Sequence, residues 1–263
     1  MIYGNKKKVV AVVSDFKFLY KNFNNLYDQL RKKGNYEGEV LIITTNLCPT
    51  FLIRSIRKKN NIKVLRFKKI KFDKKTEYEL NNLETYDDPN RNKTKKFQWH
   101  KLHLFDEYLK NWNEVFYLDI NMNIHFDINP ILSISPTNCF MARSDTYPNY
   151  DRNLKTQFDQ THPLFKTLEE NYELSVQDYF QTGVMFFDTN IIKRDTKDQI
   201  INFVKKYPIS KTNEQGILNL YFYLDKKIYR ELPSEIGDYV TYYYWKLKDK
   251  KIIITKQLIE PNK

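Results

Sequence analysis

Cysteine is nearly absent: the chain carries two, Cys48 and Cys139. Nothing argues that they pair, so a reducing compartment is the default expectation. Long apolar runs are missing as well. No stretch approaches the ~18 residues that a membrane-spanning helix needs. The first apolar run, Val9 to Val13, is shorter than the hydrophobic region of a signal peptide, and charge follows it at once. It reads as a buried strand, and a cytoplasmic location is expected. Repeats and domain linkers are also lacking, so residues 1–263 are expected to form a single domain with a full core. An RNP-type motif, zinc-finger spacing and a helix-turn-helix are all missing, which argues against nucleic acid as a partner.

Apolar residues are plentiful at 41%, which is globular rather than disordered composition, and aromatics reach 16%. The net charge of +12 would suit an anionic partner. The lysines are scattered, however, so a solvated basic surface is the plainer reading. The exception is the locally basic "RFKKIKFDKK", Arg66 to Lys75.

Val9 to Val13 is mostly β-branched, as in a parallel strand covered on both faces. Ser14 or Asp15 can cap the helix that follows. In that helix Leu19, Phe23, Leu26 and Leu30 recur at helical spacing, and Gly34 stops it. "GEVLIITTN" is a second strand, "PTFLIRSIRKK" a short helix and "IKVLRF" a third strand. This alternation predicts an α/β fold with a mostly parallel sheet flanked by helices. Lys68 to Lys96 is a polar excursion. "FQWHKLHLFDEYLKNW" sets Leu102, Phe105, Leu109 and Trp112 on one helical stripe. "EVFYLDI", "NCFMARSD" and "GVMFFDT" are further strands. "DQIINFVKKY" and "NEQGILNLYFYL" are helices, and "YVTYYYWKLKDKKIIITK" reads as two strands.

The segment "VFYLDINMNIHF" carries the chemistry. An apolar strand ends in Asp119, and Asn121 follows two residues later. In an extended segment positions i and i+2 share a face. At the carboxyl end of a strand in an open α/β sheet, that face looks into the ligand crevice. Two oxygen donors there suit a hard divalent cation that also binds a diphosphate. Taken alone, an aspartate at a strand end serves more often as a turn-former or helix cap.

Four segments at consistent spacing resemble glycosyltransferases of the GT-A fold, above all the glycogenin-like retaining family, glycosyltransferase family 8. They are "KLHLF" (101–105), "VFYLDIN" (115–121), "YFQTGVMFFDT" (179–189) and "NEQGILNLYF" (213–222). The resemblance spans roughly Val9 to Pro233. It implies a GT-A, Rossmann-like fold and transfer of a hexose from a UDP-sugar to a sugar or protein acceptor, with retention of configuration. It also implies a manganese or magnesium ion held by Asp119 and Asn121. The departures bear on that ion. The family's second aspartate is Asn121 here, and Thr255 stands near a histidine ligand position. Gln181 and Glu214 replace an asparagine and an aspartate. The metal is therefore expected to be held weakly, with the donor diphosphate bringing much of the negative charge.

The resemblance also places other residues. Val13, Ser14, Asp15 and Phe16, in the loop after the first strand, are expected around the base and ribose. Lys101 is expected near the donor, where its charge could neutralise phosphate. His103, two residues on, is read as a packed or surface residue rather than a ligand. Ile120, Gln181 and Gly183 join the donor-binding set, the glycine allowing close backbone approach. Glu214 and Gln215 are expected to face the reactive carbon of the sugar, with Asp178 and Asp188 as more structural alternatives. The tyrosine-rich "DYVTYYYW" suits an acceptor platform and alternating strand burial equally. Homodimerisation is left open. The competing reading is a degenerate member that binds nucleotide-sugar without turning it over.

Overall fold

The computed structural model describes residues 7–83, 96–146 and 150–257. Its largest sheet has seven strands: β1 (Lys8–Val13), β2 (Glu39–Thr45), β3 (Ile62–Phe67), β4 (Glu114–Leu118), β6 (Phe140–Ser144), β7 (Phe180–Asp188) and β8 (Tyr229–Glu231). Their order is β3-β2-β1-β4-β7-β6-β8. The pairs β1–β2, β2–β3, β1–β4 and β6–β8 are parallel, while β7 runs antiparallel to both β4 and β6. The expected mostly parallel α/β sheet is therefore present.

Strand β1 shows why its sequence is an unbroken apolar run. Val9, Ala11 and Val13 pack into one buried cluster, and Val10 and Val12 into another on the opposite face. A sheet covered on both sides has no polar face to write into the sequence. Helix α1 (Phe16–Lys32) covers one side with Leu19, Phe23, Leu26, Tyr27 and Leu30. Of its two candidate caps, Asp15 does the work: its carboxylate accepts the Phe18 N–H at 2.8 Å. Helix α2 (Thr50–Ile56) follows β2, and α3 (Lys74–Asn82) falls inside the polar excursion. The remaining helices are α4 (Asn129–Leu132), α5 (Leu164–Asn171), α6 (Thr196–Lys206) and α7 (Glu214–Leu218).

Two helical expectations need correction. Residues 96–111 form two 3₁₀ segments, Lys96–Phe105 and Glu107–Asn111, rather than one α-helix. The expected stripe of Leu102, Phe105, Leu109 and Trp112 is nonetheless buried. Every residue from Trp99 to Phe105 is buried too, so no exposed face enforces the α-helical period. After α7 the chain widens into a π-helical stretch, Asn219–Asp225.

A second sheet determines the site. Its order is β5-β11-β10-β9, with β5 at Asn123–Ile124, β9 at Glu235–Ile236, β10 at Tyr239–Tyr243 and β11 at Lys251–Thr255. The two strands expected in the tail are β10 and β11, and they pair in parallel. Strand β11 then pairs antiparallel with β5, with Ile254 opposite Ile124 and Thr255 opposite Asn123. That register brings the end of β11 beside the segment that leaves β4.

Candidate functional site

A crevice of about 1090 Å³ opens where β1 and β4 end. Val13, Ser14, Asp15, Lys101, Asp119, Ile120, Asn121, Gln181, Gly183, Glu214 and Gln215 all line it. Of the expected site residues, Phe16 does not. It is 46% exposed, and Phe18, two residues further and 53% exposed, lines the crevice in its place. The backbone turns at Asp15 to start α1, which directs residue 16 outward. Asp178 is exposed and outside the crevice. Asp188 accepts backbone N–H groups from Asn138 and Asn190, which is a structural role.

Asp119 and Asn121 share the crevice for a different reason from the one the sequence suggested. Strand β4 stops at Leu118, and the Met122 N–H donates to the Asp119 carbonyl at 3.0 Å. Residues 119–122 are thus a turn, and strand alternation does not align the two side chains. The turn is anchored to β7 by the Asp119 N–H, which donates to the Gly183 carbonyl at 2.9 Å. A Cβ on Gly183 would lie 2.7 Å from the buried Met122 Cε and 3.7 Å from Asp119 Oδ2. The glycine therefore lets β7 pass close to this turn.

The Asp119 carboxylate is fully engaged. Its Oδ1 accepts from the Tyr117 hydroxyl at 2.7 Å and from the Lys101 ammonium at 3.0 Å. Its Oδ2 accepts from the Lys256 ammonium at 2.7 Å. Burial alone would raise the Asp119 carboxyl, but the two lysines and the tyrosine outweigh it and hold the group well below its ordinary 3.8. Burial, then the charge of Asp119, raises the Tyr117 hydroxyl well above 10, so it remains a neutral donor.

Lys101 is a bridge. Besides Asp119 it contacts Glu214 Oε1 at 2.8 Å and the Thr182 carbonyl at 3.4 Å. An ammonium has three N–H donors, and all three are occupied. Burial favours the neutral amine, yet Asp119 and then Glu214 outweigh it and raise the group above its ordinary 10.5. Glu214 is 2% exposed, and its Oε1 also accepts from the Thr182 hydroxyl at 3.0 Å. Its other oxygen, Oε2, is buried without a hydrogen-bond partner. Gln215 accepts the Thr182 N–H at 3.2 Å and donates to Gln157 at 2.8 Å. The N-cap residue of α7 is Asn213, which makes no side-chain cap bond, and Glu214 stands in the helix's first turn.

Sequence reasoning missed Lys256. It immediately follows Thr255, the residue weighed as a substitute for a ligand. Thr255 itself is buried, and its hydroxyl meets the His125 ring at 2.9 Å. The chain beyond it is pinned: the Lys256 N–H donates to the Tyr244 carbonyl at 3.1 Å, and Asn123 donates to the Lys256 carbonyl at 3.3 Å. This delivers the Lys256 side chain to Asp119. His103 is a packing residue as expected, stacked on Phe67 at 4.4 Å, and burial depresses its pKa to about 3.

The donor set does not fit a divalent cation. Among the described residues no group of three or more His, Cys, Asp or Glu side chains could hold one. The single carboxylate, Asp119, already has ammonium groups on both oxygens. Asn121 offers a neutral amide, and the Thr255 hydroxyl is buried against His125. The expected weak manganese or magnesium site therefore lacks both charge and a vacant carboxylate oxygen.

The far side of the crevice is aromatic. Tyr242, Tyr243, Tyr244 and Trp245 line it, with Tyr242 and Tyr243 also buried in the β10 packing. Strand β10 is buried continuously from Val240 to Tyr243 rather than in alternation, and the segment borders the crevice.

By sequence, no family model and no curated protein matches the chain. The fold has clear counterparts. The galactosyltransferase LgtC, solved with donor and acceptor sugar analogs, superposes with a TM-score of 0.62 over 86% of this chain and 73% of its own, at 13% identity. The mannosyltransferase Ktr4p of S. cerevisiae in complex with GDP gives 0.55 over 87% and 69%, at 11% identity. The glycosyltransferase GlyE of Streptococcus pneumoniae TIGR4 gives 0.54 over 88% and 46%, at 13% identity. The fold is that of the GT-A glycosyltransferases.

Proposed function

We propose that this chain is a glycosyltransferase that moves a hexose from a UDP-sugar to a hydroxyl of a sugar or protein acceptor, with retention of configuration. The observation that carries this reading is the crevice itself. It lies at the carboxyl ends of β1 and β4, and it brings the loop after β1, the Asp119–Asn121 turn and the Glu214–Gln215 pair together. The turn and the Glu214–Gln215 pair belong to segments whose sequences resemble family 8, as do Lys101 and Gly183 in the same crevice.

The base and ribose are placed against Ser14, Asp15 and Phe18, with the aromatic ring available for stacking. The diphosphate lies over the Asp119–Asn121 turn, and the sugar reaches Glu214 and Gln215. LgtC has an active-site glutamine, replaced by glutamate in one of its crystal structures, which supports a reacting-centre role for an amide such as Gln215. The acceptor stacks on Tyr244 and Trp245. In the transfer, the bond from the anomeric carbon to the diphosphate oxygen breaks, and its electron pair leaves with the diphosphate. The acceptor oxygen bonds the anomeric carbon from the same face, and its proton goes to the departing diphosphate. Glu214 and Gln215 stabilise the positive charge that develops between these events.

The test is release of free nucleoside diphosphate from a panel of UDP-sugars, with GDP-mannose included, in the presence of simple glycoside acceptors. Turnover with a UDP-hexose is expected, and turnover with GDP-mannose alone would overturn the choice of nucleotide. One observation favours the binding-only reading: Lys101 ties Glu214 to Asp119 and so restrains a candidate reacting group. Tight UDP-sugar binding without release under any acceptor would select it.

A further inference from the structure

Resting on that reading of the crevice, we infer that Lys256 takes the place of a divalent cation: its ammonium, held on Asp119, is the charge that binds the donor diphosphate, and the site works without metal. Three features of the crevice converge here. Asp119 Oδ2, the oxygen a cation would need, is 2.7 Å from the Lys256 ammonium. Two ammonium groups already balance the two carboxylates Asp119 and Glu214, so a divalent ion could reach Asp119 only by displacing one of them. The chain around Lys256 is also fixed: its N–H donates to the Tyr244 carbonyl and its carbonyl accepts from the Asn123 side chain, so the ammonium is delivered by the β11–β5 register rather than by a loose tail.

The two lysines on Asp119 divide the work. Lys101 is buried, and its three donors are taken by Asp119, Glu214 and the Thr182 carbonyl. It has none left for a phosphate, so it is a positioning residue for both carboxylates. Lys256 is 25% exposed, lines the crevice and uses one donor on Asp119. Its other two N–H groups are available to phosphate oxygens. Asp119 then acts as the anchor that fixes the ammonium.

The experiment is calorimetric titration of the purified chain with UDP, GDP and UMP, in EDTA and again with added Mn²⁺. UDP is expected to bind equally well in both buffers, within about 2-fold. Lys256→Ala should weaken UDP about 10- to 100-fold in EDTA, the size of a lost charge-assisted hydrogen bond. It should change UMP binding much less, and Lys256→Arg should restore most of the loss. UDP binding that appears only with Mn²⁺ would overturn the inference while leaving the nucleotide-sugar reading intact. Equal UDP affinity in Lys256→Ala and the native chain would overturn it too. Failure of UDP and GDP to bind in either buffer would remove the nucleotide-sugar reading and this inference with it.

Discussion

Replacing Lys101 with methionine removes the one charge that faces both Asp119 and Glu214 at 3.0 and 2.8 Å. Methionine keeps most of the volume, so the perturbation is electrostatic. Asp119 keeps Lys256 and Tyr117, but Glu214 keeps only the Thr182 hydroxyl. Breaking a buried pair while leaving its partner charged costs about 3–5 kcal/mol. For a chain of this size each kcal/mol moves the melting temperature by roughly 2–4 °C, so a fall of about 6–20 °C is expected.

The pH response separates this cause from simple misfit. In the native chain the folded Asp119 carboxyl lies below its ordinary 3.8, so its contribution is complete above about pH 4 and is lost as acid protonates it. The folded Lys101 lies above 10.5, so its contribution holds below that pH and fades as pH rises further. In the variant, Asp119 loses one of the two ammonium groups that hold its carboxyl low. The variant should therefore lose less stability than the native chain as pH falls below about 4. Differential scanning calorimetry across that range measures it. A fall of under about 2 °C at pH 7, or a deficit that does not shrink on acidification, would refute the bridging role.

Three further outcomes follow from the same geometry. Gln215→Ala should lower transfer about 10²–10³-fold with little change in melting temperature, because its partners Thr182 and Gln157 border an open crevice; a large thermal loss with proportionate activity would make it structural. Gly183→Ala should destabilise the chain by about 1–3 kcal/mol by denaturant titration, since its Cβ would crowd Met122 in the buried packing beneath the Asp119 turn. Asn121→Asp combined with Lys256→Ala supplies a second carboxylate and removes the competing ammonium, so UDP binding should become Mn²⁺-dependent by titration; binding that stays indifferent to Mn²⁺ would mean residue 121 does not face the diphosphate.

The sheet was legible because its central strands are buried on both faces. Val9–Val13 and the apolar run of β2 carry no polar alternation to confuse with a helix. Asp119 was legible because an abrupt carboxylate after Tyr117 and Leu118 marks where a buried strand meets a crevice. Other features depend on contacts between segments far apart in the chain. Trp99 to Phe105 is buried all round, so its periodicity did not reveal that its turns are 3₁₀. The Asp119–Met122 turn looked extended because its residues suit either conformation. Lys256 looked like one more scattered surface lysine. Its meaning comes from the pairing of β11 with β5, two short segments far apart in the sequence, with Ile254 opposite Ile124. The replacement at Asn121 was visible, but the ammonium that accompanies it was not, and so a weak metal site was expected where the geometry provides a lysine.

The most direct test of the central claim is a crystal structure of the chain with an intact UDP-sugar bound. The account predicts the uracil beside Ser14, Asp15 and Phe18, the diphosphate within hydrogen-bonding distance of the Lys256 ammonium, and the sugar's anomeric carbon facing Glu214 and Gln215. A donor bound away from Asp119, or a diphosphate held through a metal ion with Lys256 swung aside, would contradict it.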